Sequence, residues 1–201
     1  MLKKVTLLTA SALTAFAMNT GEININDKDL EISGKFDVGQ FIESVEPDTT
    51  FIGIKFLNAD KDNADFTTQK FDPYYEANFL VMRPIGNMGM KVGLGVKANY
   101  TKSFVSIPLG LEFSYQMPFR TLVPMYLNGE IYYAPSVLAY QDADSFMEYR
   151  ISYDIELIKN AGITLGYRNM DTNYVVNKGY APQGGDFNYN STWYAGFKVK
   201  F

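Results

Sequence analysis

The chain of 201 residues contains neither cysteine nor histidine. Without cysteine there is no disulfide framework and no thiolate metal site. Without histidine the usual general base, the Ser-His-Asp arrangement and the commonest metal ligand are missing. No stretch beyond the N-terminal segment approaches about 18 uninterrupted apolar residues, which excludes a membrane-spanning helix. Helix-period patterning is also absent outside that segment. The 22 acids against 18 bases argue against a nucleic-acid partner.

The N-terminus reads as an export signal. Lys3 and Lys4 form a charged start, Val5 to Phe16 a short apolar run, and Ala15-Phe16-Ala17 a cleavage pattern. Cleavage near Ala17 leaves one domain, residues 18–201. It also removes two lysines and no acid, taking the net charge from −4 to −6.

The dominant feature of the rest is strict alternation. In the last segment Trp193, Ala195, Phe197, Val199 and Phe201 fall on one face, and Tyr194, Gly196, Lys198 and Lys200 on the other. That is the period of a half-buried strand. About ten tilted residues suffice to cross a bilayer. An amphipathic final strand ending on an aromatic is read as an assembly signal carried by Trp193, Phe197 and Phe201. Similar segments are Leu30–Gly39, Thr50–Asn58, Pro73–Arg83, Gly89–Asn99, Phe104–Gln116, Pro124–Tyr133, Ser145–Ile158 and Ile163–Arg168. Both ends of a single-chain outer-membrane barrel lie in the periplasm, so the strand number is even. Glu22 to Asn26 supplies the tenth. The expected fold is an all-β, antiparallel, up-and-down transmembrane barrel of about ten strands. Eight is the alternative, if the hairpin around Pro124 is mis-split. Pro108 cannot donate to a ladder, so a bulge or distortion is expected there.

A soluble barrel shows the same period with its apolar face inward, so other features must orient the strands. Gly39, Gly53, Gly93, Gly95, Gly110, Gly166 and Gly196 lie mostly on the polar face. Glycine weakens a strand, but a crowded small-barrel interior needs the space. Tyr75, Tyr100, Phe104, Tyr115, Tyr133, Tyr149, Tyr167 and Trp193 sit near strand ends on the apolar face, as interfacial girdles do. The mean hydropathy of −0.13 fits a membrane barrel, whose alternate residues point inside.

With the apolar face outward, the inward acids are Glu31, Asp37, Glu76, Glu112, Glu130, Glu148, Asp154 and Glu156. The inward bases are Lys35, Lys55, Lys91, Lys97, Arg150, Arg168, Lys198 and Lys200. Equal numbers of both signs predict cross-strand ion pairs filling a narrow lumen. A selective pore would line itself with one sign. Long connections 59–71, 134–145 and 170–190 are expected on one side, with 84–88 and 159–162 on the other. Asp60, Asp62 and Asp65 are spaced to offer oxygen ligands to calcium, but they lack the full loop pattern; the plainer reading is a solvated loop. No cofactor is implied.

The runs Ala134-Pro-Ser-Val-Leu-Ala-Tyr-Gln-Asp-Ala-Asp-Ser145, Glu148-Tyr-Arg150 and Gly166-Tyr-Arg168-Asn-Met-Asp171 resemble the YfaZ family of small outer-membrane proteins. So do Pro73-Tyr-Tyr-Glu-Ala-Asn-Phe79, Gly93-Leu-Gly-Val-Lys97 and Ile107-Pro-Leu-Gly110. The resemblance spans nearly the whole mature chain. It implies outer-membrane lipid, the barrel-assembly machinery and periplasmic chaperones as partners, and little about activity. Three functional classes follow. The first is a closed scaffold with functional extracellular loops. The second is a small pore for ions or hydrophilic solutes. An embedded enzyme is the third, and the lack of histidine disfavours it.

Overall fold

The computed structural model describes residues 19–27, 29–59, 73–119, 123–175 and 185–201. The segment expected to be an export signal (1–17) and the acidic cluster Asp60, Asp62 and Asp65 lie outside them. Ten long strands form the wall: β1 (Thr20–Ile25), β2 (Asp29–Asp37), β3 (Thr50–Ala59), β4 (Tyr74–Ile85), β5 (Met90–Tyr100), β7 (Leu109–Gln116), β8 (Met125–Ala134), β10 (Ala143–Ile158), β11 (Ala161–Tyr174) and β12 (Gly185–Lys200). Two short strands, β6 (Phe104–Ser106) and β9 (Ala139–Gln141), pair with each other above the wall.

Every wall strand pairs antiparallel with its neighbours, and two pairings close the ring. β4 pairs with β5, and β1 pairs with β12. The result is a closed ten-stranded up-and-down barrel, the larger of the two expected strand numbers. Closure leaves no wall strand with an unpaired edge, which is the physical advantage of a barrel over an open sheet. The termini meet at one end, where Phe201 N donates to Asn19 O at 2.9 Å and Asn19 N donates to Phe201 O at 3.2 Å. We call this the termini end. The opposite, loop end carries β6 and β9.

The period-two pattern has a direct result in β5. Lys91, Gly93, Gly95, Lys97 and Asn99 turn inward, while Leu94, Ala98 and Tyr100 are exposed on the outer surface. Ile23, Ile32, Ile54, Leu111, Ile131, Ile151 and Leu165 are exposed on the same outer surface. The barrel is therefore inverted relative to a soluble one, with polar groups inside and apolar groups outside.

Several expectations change, and one concerns Phe104, expected among the outward girdle aromatics but fully buried inside the loop end. The segment expected as one strand, Phe104–Gln116, is broken at Pro108 into β6 and β7. Pro108 has no N–H, but its carbonyl still accepts from Lys97 N at 2.9 Å. The connections expected over 134–145 and 170–190 are shorter, because β9 and the long strands β10, β11 and β12 take up their ends. Long connections are also not confined to one side. Residues 38–49 join β2 to β3 at the termini end, starting with a short 3-10 turn over Val38–Gln40. Gly39 belongs to that turn and not to a strand. A Cβ there would collide with the Pro47 backbone.

Candidate functional site

The inner wall brings together residues from most of the strands, and three layers follow one another along the axis. At the loop end lies an apolar plug. Tyr74 and Phe146 stack at 6.4 Å, Phe104 meets Phe146 at 5.5 Å, and Tyr189 lies edge-on to Phe104 at 5.6 Å. Leu57, Met170 and Tyr174 belong to the same cluster, and all seven are buried. The Tyr74 hydroxyl donates to Glu76 at 3.0 Å and joins the plug to the charged layer below.

That middle layer is a network of buried charges. Lys55 Nζ lies 2.8 Å from Glu76 and 2.9 Å from Glu148. Lys97 Nζ lies 2.7 Å from Glu148 and 3.3 Å from Glu130. Arg150 grips Glu31 with two parallel bonds, at 2.8 and 2.6 Å, and its Nε lies 3.3 Å from Glu130. Arg168 contacts Glu31 and also reaches Asp29 at 3.1 Å. Glu130, within ion-pair reach of Lys55, Lys97 and Arg150, ties the lysine half to the arginine half. Glu31, Glu148 and Arg168 have no exposed surface. An unpaired charge at such depth is costly, so the side chains are held where their partners are. Bidentate Arg–carboxylate bonds add fixed geometry.

Glycine makes room for the large rings within this layer. Gly95 and Gly110 face each other across β5 and β7, and the Tyr132 ring from β8 lies over both. Tyr132 donates to Glu112 at 2.8 Å, and Lys97 Nζ sits 4.0 Å from its ring centre. Gly166 likewise lies under Tyr194, whose ring is flanked by the guanidinium groups of Arg150 and Arg168 at 5.4 and 5.6 Å. A side chain at any of these three glycine positions would occupy space already taken by a tyrosine.

Toward the termini end the lumen widens into a cavity of about 830 Å³. Its pairs are partly exposed. Lys35 meets Glu112 at 2.9 Å, Lys198 meets Asp154 at 2.6 Å and Glu22 at 3.0 Å, and Lys200 meets Glu156 at 2.7 Å. Lys91 pairs with Asp48 from the connection between β2 and β3. Asp37 instead accepts backbone N–H bonds from Gly39 and Asp48.

The inward residues named from the sequence are thus found on the inner wall, and most of them join one network or its outer pairs. Asp29, Glu22 and Asp48 were not among them. Asp29 opens β2 and Glu22 lies in the short β1, where alternation is too short to assign a face, and Asp48 lies in a connection. The inner tyrosines Tyr132 and Tyr194 were also missed as site residues; their signal was a bulky ring opposite a glycine on the neighbouring strand. Trp193, Phe197 and Phe201 all lie exposed on the outer surface of β12 and its end.

Fold and lumen together define a class: a closed antiparallel barrel, apolar outside, with paired charges and aromatic rings buried on its inner wall. No protein-family model, curated protein or solved structure matches the chain.

Proposed function

We propose that the protein is an outer-membrane barrel closed to solute, a scaffold that presents its loop end outside the cell. Its membrane placement is supported by the continuous outer belt of Ile, Leu, Val and Phe side chains. So large an exposed apolar surface is not sustainable in water. Aromatic side chains edge the belt toward the loop end, as cross-strand neighbours. Phe56 meets Tyr75 at 5.2 Å, Tyr75 meets Tyr100 at 6.3 Å, Tyr149 meets Tyr167 at 6.1 Å, and Tyr167 meets Trp193 at 5.2 Å. At the termini end Phe36 and Phe201 lie edge to face at 6.4 Å. Two aromatic rims bounding an apolar band match the anatomy of a transmembrane barrel. The export-like N-terminus and the YfaZ resemblance agree with this reading. Phe201 then acts with Trp193 and Phe197 as the assembly signal, and its deletion reduces insertion into the outer membrane.

The observation that carries closure is the buried charge layer beneath the aromatic plug. Hydrated ions have no free path past Lys97, Glu148, Arg150 and Glu31, because these groups fill the axis and neutralise one another. Glu148, Arg150 and Asp154 are engaged as structural partners, which supports a non-enzymatic role. The functional surface of a plugged barrel is its ends, and the longer wall strands β10, β11 and β12 raise the loop end as the recognition surface.

Single-channel recording in planar bilayers tests the reading. Folded protein should leave the bilayer silent. Stable steps whose size changes on charge reversal at Arg150 or Lys97 would make the protein a pore instead.

A further inference from the structure

The connection 38–49 between β2 and β3 reaches further than a turn needs to. It starts beside the N-terminal strand, where the Asn19 amide donates to Gln40 at 3.1 Å. It then follows the rim to β4, on the far side of β3, where Glu46 pairs with Arg83 at 2.8 Å. Arg83 shares the outward face of β4 with Tyr75 and Phe79, and 60% of its side chain is exposed. The connection therefore touches the outside of the wall, at the point where the apolar row of β4 gives way to a charge.

Its shape is fixed from within. Asp37 accepts N–H bonds from Gly39 at 3.0 Å and from Asp48 at 2.7 Å, which brackets the segment. Phe41 and Ile42 both donate their N–H to Val38 O at 3.0 Å, and Val45 donates to Ile42 O at 3.0 Å. Held in this way, the loop presents Phe41 at 70% exposure and Ile42 at 49%, beside the exposed acids Glu43 and Glu46. The outward residues that flank it, Phe36 on β2 and Ile85 on β4, are apolar and exposed, so the outer belt runs up to the loop. At a bilayer surface such apolar groups enter the acyl boundary while charges stay among the headgroups. Arg83 suits the same boundary. Its stem can lie along apolar surface, and its guanidinium carries N–H donors beyond the one on Glu46, in a geometry that fits phosphate.

We infer that the connection 38–49 is a docking surface for phospholipid of the leaflet at the termini end. Phe41 and Ile42 enter the acyl region, and Arg83, bridged to the loop by Glu46, meets lipid phosphate. The inference rests on the transmembrane reading and adds to it a lipid contact made by a connection rather than by the wall.

Trp193, the chain's single tryptophan, serves as internal control for the test. The folded full-length barrel is reconstituted in phosphatidylcholine vesicles whose acyl chains are brominated near the headgroup, since bromine quenches tryptophan on contact. Phe41→Trp is made in a Trp193→Phe background, with Ile42→Trp as a second reporter, and folding is checked by mobility on unheated gels. Both reporters should emit at short wavelength and lose most of their intensity in brominated lipid. Adding Arg83→Glu, which repels Glu46 and removes the phosphate donor, should restore much of that intensity. Reporters that stay bright and red-shifted, while Trp193 of the parent protein is quenched, overturn the inference and leave the membrane placement standing. If neither Trp193 nor the reporters are quenched, the membrane placement itself fails, and the inference with it. Undiminished quenching in folded Arg83→Glu protein also overturns the inference, since Arg83 then has no part in holding the loop on lipid.

Discussion

Lys97 and Lys35 are both lysines on the inner wall, and both are paired with glutamate, but they sit in different surroundings. Lys97 is 1% exposed and lies among Glu76, Glu130 and Glu148, with the Tyr132 ring against it. Lys35 has a third of its side chain exposed and, among the described residues, a single carboxylate partner, Glu112. The first sits below the aromatic plug, the second on the wall of the open cavity. Burial decides what the same ion pair is worth. In the deep layer a missing partner leaves charge in a place water cannot reach, whereas near the mouth water replaces it. One end of the lumen is therefore built for permanence and the other for exchange.

Among the described residues the deep layer also has an uneven count. Asp29, Glu31, Glu76, Glu130 and Glu148 face Lys55, Lys97, Arg150 and Arg168, five carboxylates against four cations. Lys97→Met should then be the most damaging change, costing about 3–5 kcal/mol in denaturant unfolding of the barrel in lipid vesicles. Glu130→Gln should cost less, since it brings the two signs into balance. Equal costs for the two variants would show that the layer does not act as an electrostatic unit.

The plug above it is held by packing rather than charge. Phe104→Ala removes a fully buried ring that touches Phe146 and Tyr189, with an expected loss of about 3–4 kcal/mol in the same assay. Bilayers should stay silent with this variant, because the charge layer below still blocks the axis. Conduction would mean that the plug alone seals the lumen.

On the outer wall the proposed membrane placement makes its own demand. Leu94 is 70% exposed on the outside of β5, so Leu94→Arg should cost about 2–4 kcal/mol in lipid if the residue lies near the midplane. Its neighbour Gly95 points inward, and Gly95→Arg should fail for a different reason, by displacing Tyr132. Unaltered stability of Leu94→Arg would refute the hydrocarbon contact.

The smallest effect belongs to the cavity. Lys35→Met should change stability by only about 0–1 kcal/mol, and raised salt should erase most of the difference from the parent protein. A loss comparable to that of Lys97→Met would remove the contrast between the two ends.

Much of the wall was legible because a strand has a period of two and a closed barrel keeps that period around the whole ring. Gly89 to Asn99 assigned Lys91 and Lys97 to one face with no other information, and Leu94 to the other. Reading failed where the period was too short or interrupted. Pro108 was recognised as a fault, but it ended one strand and began another, which depends on where Lys97 offers its N–H. Ala139–Gln141 is too short to show alternation, and it is a strand only because β6 lies beside it. The connection 38–49 looked like an ordinary loop; its place at the termini end, with Asp48 reaching Lys91, comes from the barrel's geometry.

The chain by itself determined the class of fold, the even number of strands and which side chains share a face, since these are consequences of local alternation and of chain parity. It also determined that the inner face carries both signs of charge. Only the tertiary structure decided which acid meets which base, because partners such as Glu31 and Arg168 are far apart in sequence and meet across the lumen only after closure. It decided as well that the pairs gather into one buried layer with rings above and a cavity below. That division depends on the depth of each side chain along the barrel axis, a quantity set by strand stagger and closure and not by any local stretch of sequence.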